Sequence, residues 1–200
     1  MTTRFILGIL LLAPAFPAAA ATPQAEAAFQ FAIAQTLAQE GSYRQALREF
    51  EEVVRLVPDD PYVRLEFAEF LARLSRWHDA ADQARAALEL APDNVSVLRL
   101  VGRVELSLSE SDGGAMDRAR EAFERVVELV PEDRETVLSL GQIYLSLGRS
   151  SDAADLFLDL NERVVGDRTA ISFLIEALQR SNREDELEEL LIAYLEDDPE

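Results

Sequence analysis
The stretch Gly41-Ser-Tyr43-Arg-Gln-Ala46-Leu-Arg-Glu-Phe50, running on to Leu56-Val-Pro58-Asp-Asp60, decides how this chain is built. Gly41 suits the left-handed end of a helix, where a side chain would clash. Pro58 stops the helix that follows, because the residue before a proline is pushed out of the α region. The acids after Pro58 supply acceptors for the free N–H groups of the next helix. This piece therefore predicts one helix over Ala27 to about Glu40, a break at Gly41-Ser42, and a second helix over Tyr43 to Leu56.

The same piece recurs. Leu56-Val-Pro58-Asp-Asp is echoed by Leu90-Ala-Pro92-Asp-Asn and Leu129-Val-Pro131-Glu-Asp, and the sequence given closes on Leu195-Glu-Asp-Asp-Pro199. Pro58 to Pro92 is 34 residues and Pro131 to Pro199 twice that, while Pro92 to Pro131 is 39 and carries five extra residues. Ala46, Ala80, Ala119 and Ala153 keep the beat, followed four residues later by Phe50, Ala84, Phe123 and Phe157. Upstream, small residues recur at Ala34, Ala68, Gly102 and Gly141. A fixed period of this length is the mark of a repeat array. It defines five units, 27–60, 61–94, 95–133, 134–167 and 168–200. Two helices approach closely only where one lacks bulk, so a large side chain at Ala46 or Ala119 should cost about 1–3 kcal/mol.

The small residue of the first helix, the alanine opening the second, the aromatic four later and the closing proline resemble the tetratricopeptide repeat (TPR) signature. The resemblance covers roughly 27–200 of the sequence. It implies an all-α fold, a right-handed superhelix of about five helix hairpins whose first helices line a concave groove. Two departures bear on packing. Unit five has Ile175 and Leu187 where the family has small residues. Unit three has Glu105 where Leu71 and Tyr144 stand in their units. A buried Glu105 must be paired or protonated, and the sequence reading expects instead a shifted helix that leaves it exposed. The extra residues fall at 109–114, in the turn between that unit's helices.

Composition bounds the function. The 38 acidic residues against 19 basic ones give a net charge of −19, which repels phosphate backbones and anionic lipid and argues against nucleic-acid partners. All the basic residues are arginine, and cysteine is absent, which removes disulfides, thiolate catalysis and cysteine-based metal sites. Met1 to Ala21 carries Arg4, a short apolar run from Phe5 to about Phe16 and small residues at Ala18–Ala21. Those are the parts of a secretory signal peptide. The run is broken by Pro14 and Pro17 and falls short of the roughly 20 apolar residues of a spanning helix. Cleavage after Ala20 or Ala21 is expected, leaving a linker over 22–26 and a mature protein that is periplasmic or secreted, without stable membrane insertion.

Nothing in the chain spells out catalysis. There is no P-loop, dinucleotide glycine fingerprint or nucleophile elbow, and the lone His78 is read as a turn residue beside Trp77. The acid- and glycine-bearing run Glu110–Asp117 lacks the alternating ligands of a calcium-binding EF-hand loop. No enzyme activity, cofactor or metal is expected. The resemblance implies instead a protein or peptide partner in the groove. Carried over by register, the groove residues are Phe31 and Gln35, then Tyr62, Leu65, Glu69 and Arg73, then Arg99 and Arg103, then Leu138 and Gln142, and last Ser172, Glu176 and Arg180. The lysines and asparagines of the carboxylate-clamp variety are missing from these places. Arg99 and Arg103, at i and i+4, form either a cationic patch for a partner carboxylate or internal pairs with Glu69, and the second is favoured in so acidic a chain.

A second candidate surface is the last helix, where Leu191, Ile192 and Leu195 have no further helix to cover them. Such a set favours a partner, a second copy, or a longer protein of which this is the N-terminal part. The expected function is a non-catalytic adaptor of the bacterial envelope. The alternative is an assembly scaffold of an envelope machine, such as outer-membrane biogenesis, pilus or polysaccharide export.

Overall fold
The computed structural model describes residues 22–164 and 166–197, with the backbone alone for 194–197. The expected signal segment lies outside the described residues. Over the described residues the chain forms ten α-helices and no strand, and it divides after Pro58 into two compact units.

The first unit is the hairpin of α1 (Pro23–Gln39) and α2 (Tyr43–Leu56). The stretch expected as a linker over 22–26 is helical from Pro23. The Thr22 hydroxyl accepts from the Ala25 amide at 3.2 Å, and Pro23 takes the first helical position, where its missing N–H costs nothing. Gly41 turns the chain at φ 78°. Ala46, Phe50 and Val53 line the buried face of α2, with Phe31 edge-on to Phe50 at 5.9 Å between ring centroids.

The second unit holds four more hairpins: α3 (Pro61–Arg73) with α4 (Trp77–Leu90), α5 (Val95–Leu108) with α6 (Ala115–Leu129), α7 (Arg134–Ser146) with α8 (Ser150–Arg163), and α9 (Arg168–Arg180) with α10 (Glu184–Asp197). The small residues of the repeat are seats for aromatic rings. A Cβ added to Gly102 would stand 2.3 Å from the Phe123 ring, and one added to Gly141 would stand 2.0 Å from Phe157. Both rings are buried. The turns within the second, fourth and fifth repeats share a closure in which a backbone amide bonds back to the helix that the chain has left. Arg76 donates to Leu71 O at 3.0 Å, Arg149 to Tyr144 O at 2.8 Å and Arg183 to Leu178 O at 3.0 Å. The residue before each lies in the left-handed region. Gly148 does so, and Ser75 and Asn182 do so without being glycine. His78 sits in the first turn of α4 and is exposed.

Glu105 is not exposed. Its side chain is 1% accessible and lies between two guanidiniums, Arg85 Nε at 3.3 Å and Arg118 Nη2 at 2.8 Å. The helix is not shifted. Gly102 keeps its place against Phe123, so Glu105, three residues on, must point inward, and arginines from α4 and α6 neutralise it. Neither oxygen has a well-directed hydrogen bond, so the attraction is ionic. Glu105 and Asp112 together hold the Arg118 guanidinium above even arginine's usual range. One repeat later the same positions hold a different pair, the Tyr144 hydroxyl donating to Glu124 at 2.8 Å. One further on they hold Leu158 and Leu178, members of a single apolar cluster.

The fifth hairpin is looser, as Leu187 predicts. The alanines in its register, Ala80, Ala119 and Ala153, are wholly buried, whereas Leu187 and Leu190 pack on the core only in part.

Candidate functional site
The first helices of the second unit, α3, α5 and α7, place Glu69, Arg99 and Arg103 around one cleft of about 220 Å³, with Ser96, Thr136 and Ser139 on its walls. A neighbouring cleft of about 380 Å³ is lined by Glu69, Arg73, Trp77 and Arg103. Arg103 therefore borders both. Among the described residues no ion pair reaches its exposed guanidinium, nor does one join Glu69 to Arg99 or Arg103. The expected internal pairing with Glu69 is replaced by another. Arg99 Nε meets Asp133 Oδ2 at 2.5 Å. Arg99 stands one turn into α5, level with the residue that opens α7, whereas Glu69 is two turns into α3.

The remaining sequence-derived positions scatter. Tyr62 is exposed at the start of α3, its phenol pushed up chiefly by the Glu66 carboxylate. Leu65 is buried, so it packs the hairpin instead of facing solvent. Arg73 lays its guanidinium 5.9 Å from the centre of the Phe70 ring. Gln142 is exposed on α7 and lines neither cleft. Leu138 packs in part on the core, and Glu176 pairs with Arg180 at 3.4 Å. Phe31 and Gln35 belong to the first unit. Sequence reasoning missed Asp133, Thr136 and Ser139. No register signal marked Asp133: it is the counterpart of Asn94 one repeat earlier, and only its contact with Arg99 sets it apart.

On α10, Leu191 and Ile192 are 42% and 50% exposed, as expected of an uncovered face; the Leu195 side chain lies outside the described residues. In the turn over 109–114, the Asp112 carboxylate accepts from the Gly114 amide at 2.9 Å and meets Arg118 at 2.5 Å, so its oxygens are used within the chain. Among the described residues no three His, Asp or Glu side chains converge as metal ligands would. No helix among them is long and apolar enough to cross a membrane.

Stacked helix hairpins with open polar clefts on their first helices define a protein-interaction scaffold. The tetratricopeptide repeat model matches residues 31–95 and 104–162, and the chain belongs to that family. Among solved structures it is similar to MamA, with a TM-score of 0.71 and 17% identity over 85% of this chain and 90% of that one. It is also similar to YrrB, described as a TPR protein with an unusual peptide-binding site, with a TM-score of 0.68 and 18% identity over 86% of each chain. At such identities the likeness is one of fold. Among curated proteins, the CTR9 homolog of Arabidopsis thaliana is 30% identical over 108 residues. That match spans 54% of this chain and 9% of the relative's length.

Proposed function
We propose that this protein is an adaptor of the bacterial envelope that holds an extended segment of a partner against the first helices of its second unit, with Arg103 and Arg99 as the cationic contacts. The family takes protein or peptide partners, and the observation that carries the finer reading is Arg103. In a chain of net charge −19, its guanidinium is exposed at the junction of two clefts with no ion pair among the described residues. Charge-assisted contacts to a carboxylate are among the stronger hydrogen bonds a groove can offer. The envelope location rests on the sequence of residues 1–21.

A photo-crosslinking residue at Ser139, compared with one at Asp82 on α4, tests this in the native cell. A discrete crosslinked partner is expected from Ser139 alone, lost on Arg99→Glu/Arg103→Glu with helicity unchanged by circular dichroism. Undiminished capture by that variant sinks the reading. N-terminal sequencing of the extracted protein should begin at Ala21 or Thr22. The scaffold alternative is favoured by one observation, the exposed Leu191 and Ile192. It predicts that Ile192→Arg, and not the arginine variant, releases the protein from a membrane-bound assembly.

A further inference from the structure
Four residues in the second unit occupy the same place, immediately before a first helix: Asp60, Asn94, Asp133 and Asp167. Three of them do the same thing. Asp60 Oδ1 accepts from the Tyr62 and Val63 amides at 2.9 and 3.2 Å. Asn94 Oδ1 accepts from Ser96 and Val97 at 3.0 and 3.2 Å. Asp167 Oδ1 accepts from Thr169 and Ala170 at 3.0 and 3.2 Å. Asp133 alone makes no such bond to its helix. Its Oδ2 instead receives Arg99 Nε at 2.5 Å and the Thr136 hydroxyl at 2.7 Å. Its side chain is 10% exposed, and Arg99 and Thr136 both line the smaller cleft.

A helix start without its side-chain acceptor leaves N–H groups unsatisfied. Serving Arg99 is therefore a choice between two employments, each open to the same carboxylate. Asp167 shows that the two need not conflict where the arginine stands elsewhere, since its Oδ1 caps α9 while both of its oxygens accept from Arg134. At Asp133 the reach to Arg99 displaces the cap. The carboxylate then stands where the carboxylate of a partner segment would bind Arg99 beside Arg103.

We infer that Asp133 is a built-in competitor in a carboxylate-binding cleft: a partner's carboxylate takes Arg99, and Asp133 turns back to cap α7. The inference rests on the groove reading above and adds the ligand chemistry and the exchange to it. The cost of detaching Arg99 is partly returned by the cap, so the cleft rejects weak anions and yields to a segment that also engages Arg103.

The test is Asp133→Asn, which keeps a capping acceptor, as Asn94 shows, and removes the charge that holds Arg99. The probe is a labelled heptapeptide alternating glutamate and leucine, amidated at its C-terminus, with a glutamine version as control and a leucine–glutamine version bearing a free C-terminus. Asp133→Asn should bind the glutamate peptide about fivefold tighter than the wild type, the worth of one partly exposed ion pair, with the amidated glutamine version unaffected. Tighter binding of the free-terminus version alone would assign the cleft to a chain end, and of the glutamate version alone to side chains. The Glu135 and Thr136 amides should gain hydrogen-exchange protection in Asp133→Asn without peptide, and in the wild type on adding peptide. Equal affinity of the two proteins, or unchanged amides, overturns the exchange and leaves the groove reading standing. Binding by neither overturns both.

Discussion
The third and fourth repeats are built on one plan and filled differently. Both seat a phenylalanine ring against a glycine, Gly102 with Phe123 and Gly141 with Phe157. Three residues after the glycine, the third repeat buries a carboxylate between two arginines, and the fourth buries a phenol that donates to Glu124. Close approach of the two helices is thus a requirement with no substitutes. The chemistry of the position beneath is open, provided that the preceding repeat's second helix supplies the complement: Arg85 for Glu105, Glu124 for Tyr144. Neighbouring repeats are matched in pairs, and this matching fixes which repeat follows which.

Removing the complement in the third repeat should have the largest effect. Arg85→Met with Arg118→Met strands a buried charge and should cost about 3–5 kcal/mol in urea unfolding. Adding Glu105→Leu should restore most of that loss, because an apolar replacement of a buried ion cluster is often neutral. A double variant as stable as the triple would show that Glu105 needs no partner. Next come the glycines, where the two repeats should respond alike. Gly102→Ala and Gly141→Ala should each cost about 1–3 kcal/mol from overpacking, although alanine is the better helix former by about 1 kcal/mol. A cost in one repeat alone would break the shared plan.

The smallest effect belongs to the fourth repeat's own pair. Burial, and then the bond to Glu124, push the Tyr144 phenol up to about 12 from its ordinary 10.0. The folded chain therefore keeps a proton that the unfolded chain gives up. The stability this brings is complete below pH 10.0 and is lost as pH rises towards about 12. Tyr144→Phe should cost about 1 kcal/mol near neutrality and flatten that alkaline decline. An unchanged decline in denaturant midpoints across this range would assign it to another group.

The hairpins, their turns at Gly41 and Gly148 and the glycine–phenylalanine seats could be read from the sequence, since each is a periodic arrangement of side-chain size. Ser75 could not, because serine has no preference for a left-handed turn, while Asn182 carried a weaker mark that went unread, asparagine being the residue after glycine that best tolerates one. Glu105 was misread for a related reason. Its burial depends on Arg85 and Arg118, which depart from the pattern at their own positions, and polarity alone argues for solvent. Of the cleft, Arg99, Arg103 and Glu69 were legible from register. Asp133 was not, because it looks like its three counterparts and differs only in where its carboxylate turns.

The turn over 109–114 has a practical consequence. Asp112 on that turn and Glu105 in the interior share a single guanidinium, that of Arg118. A dye, an affinity tag or a protease cut placed there would be felt in the middle of the array, however harmless an extended loop looks from outside. The short turn at 74–76, whose Arg76 pairs only with the exposed Asp79 among the described residues, is the safer site for grafting a reporter, whereas at 147–149 Arg149 lies over Tyr144 and reaches Glu124. The long loop, labelled on purpose, would serve as a sensor of whether that buried charge keeps its partners.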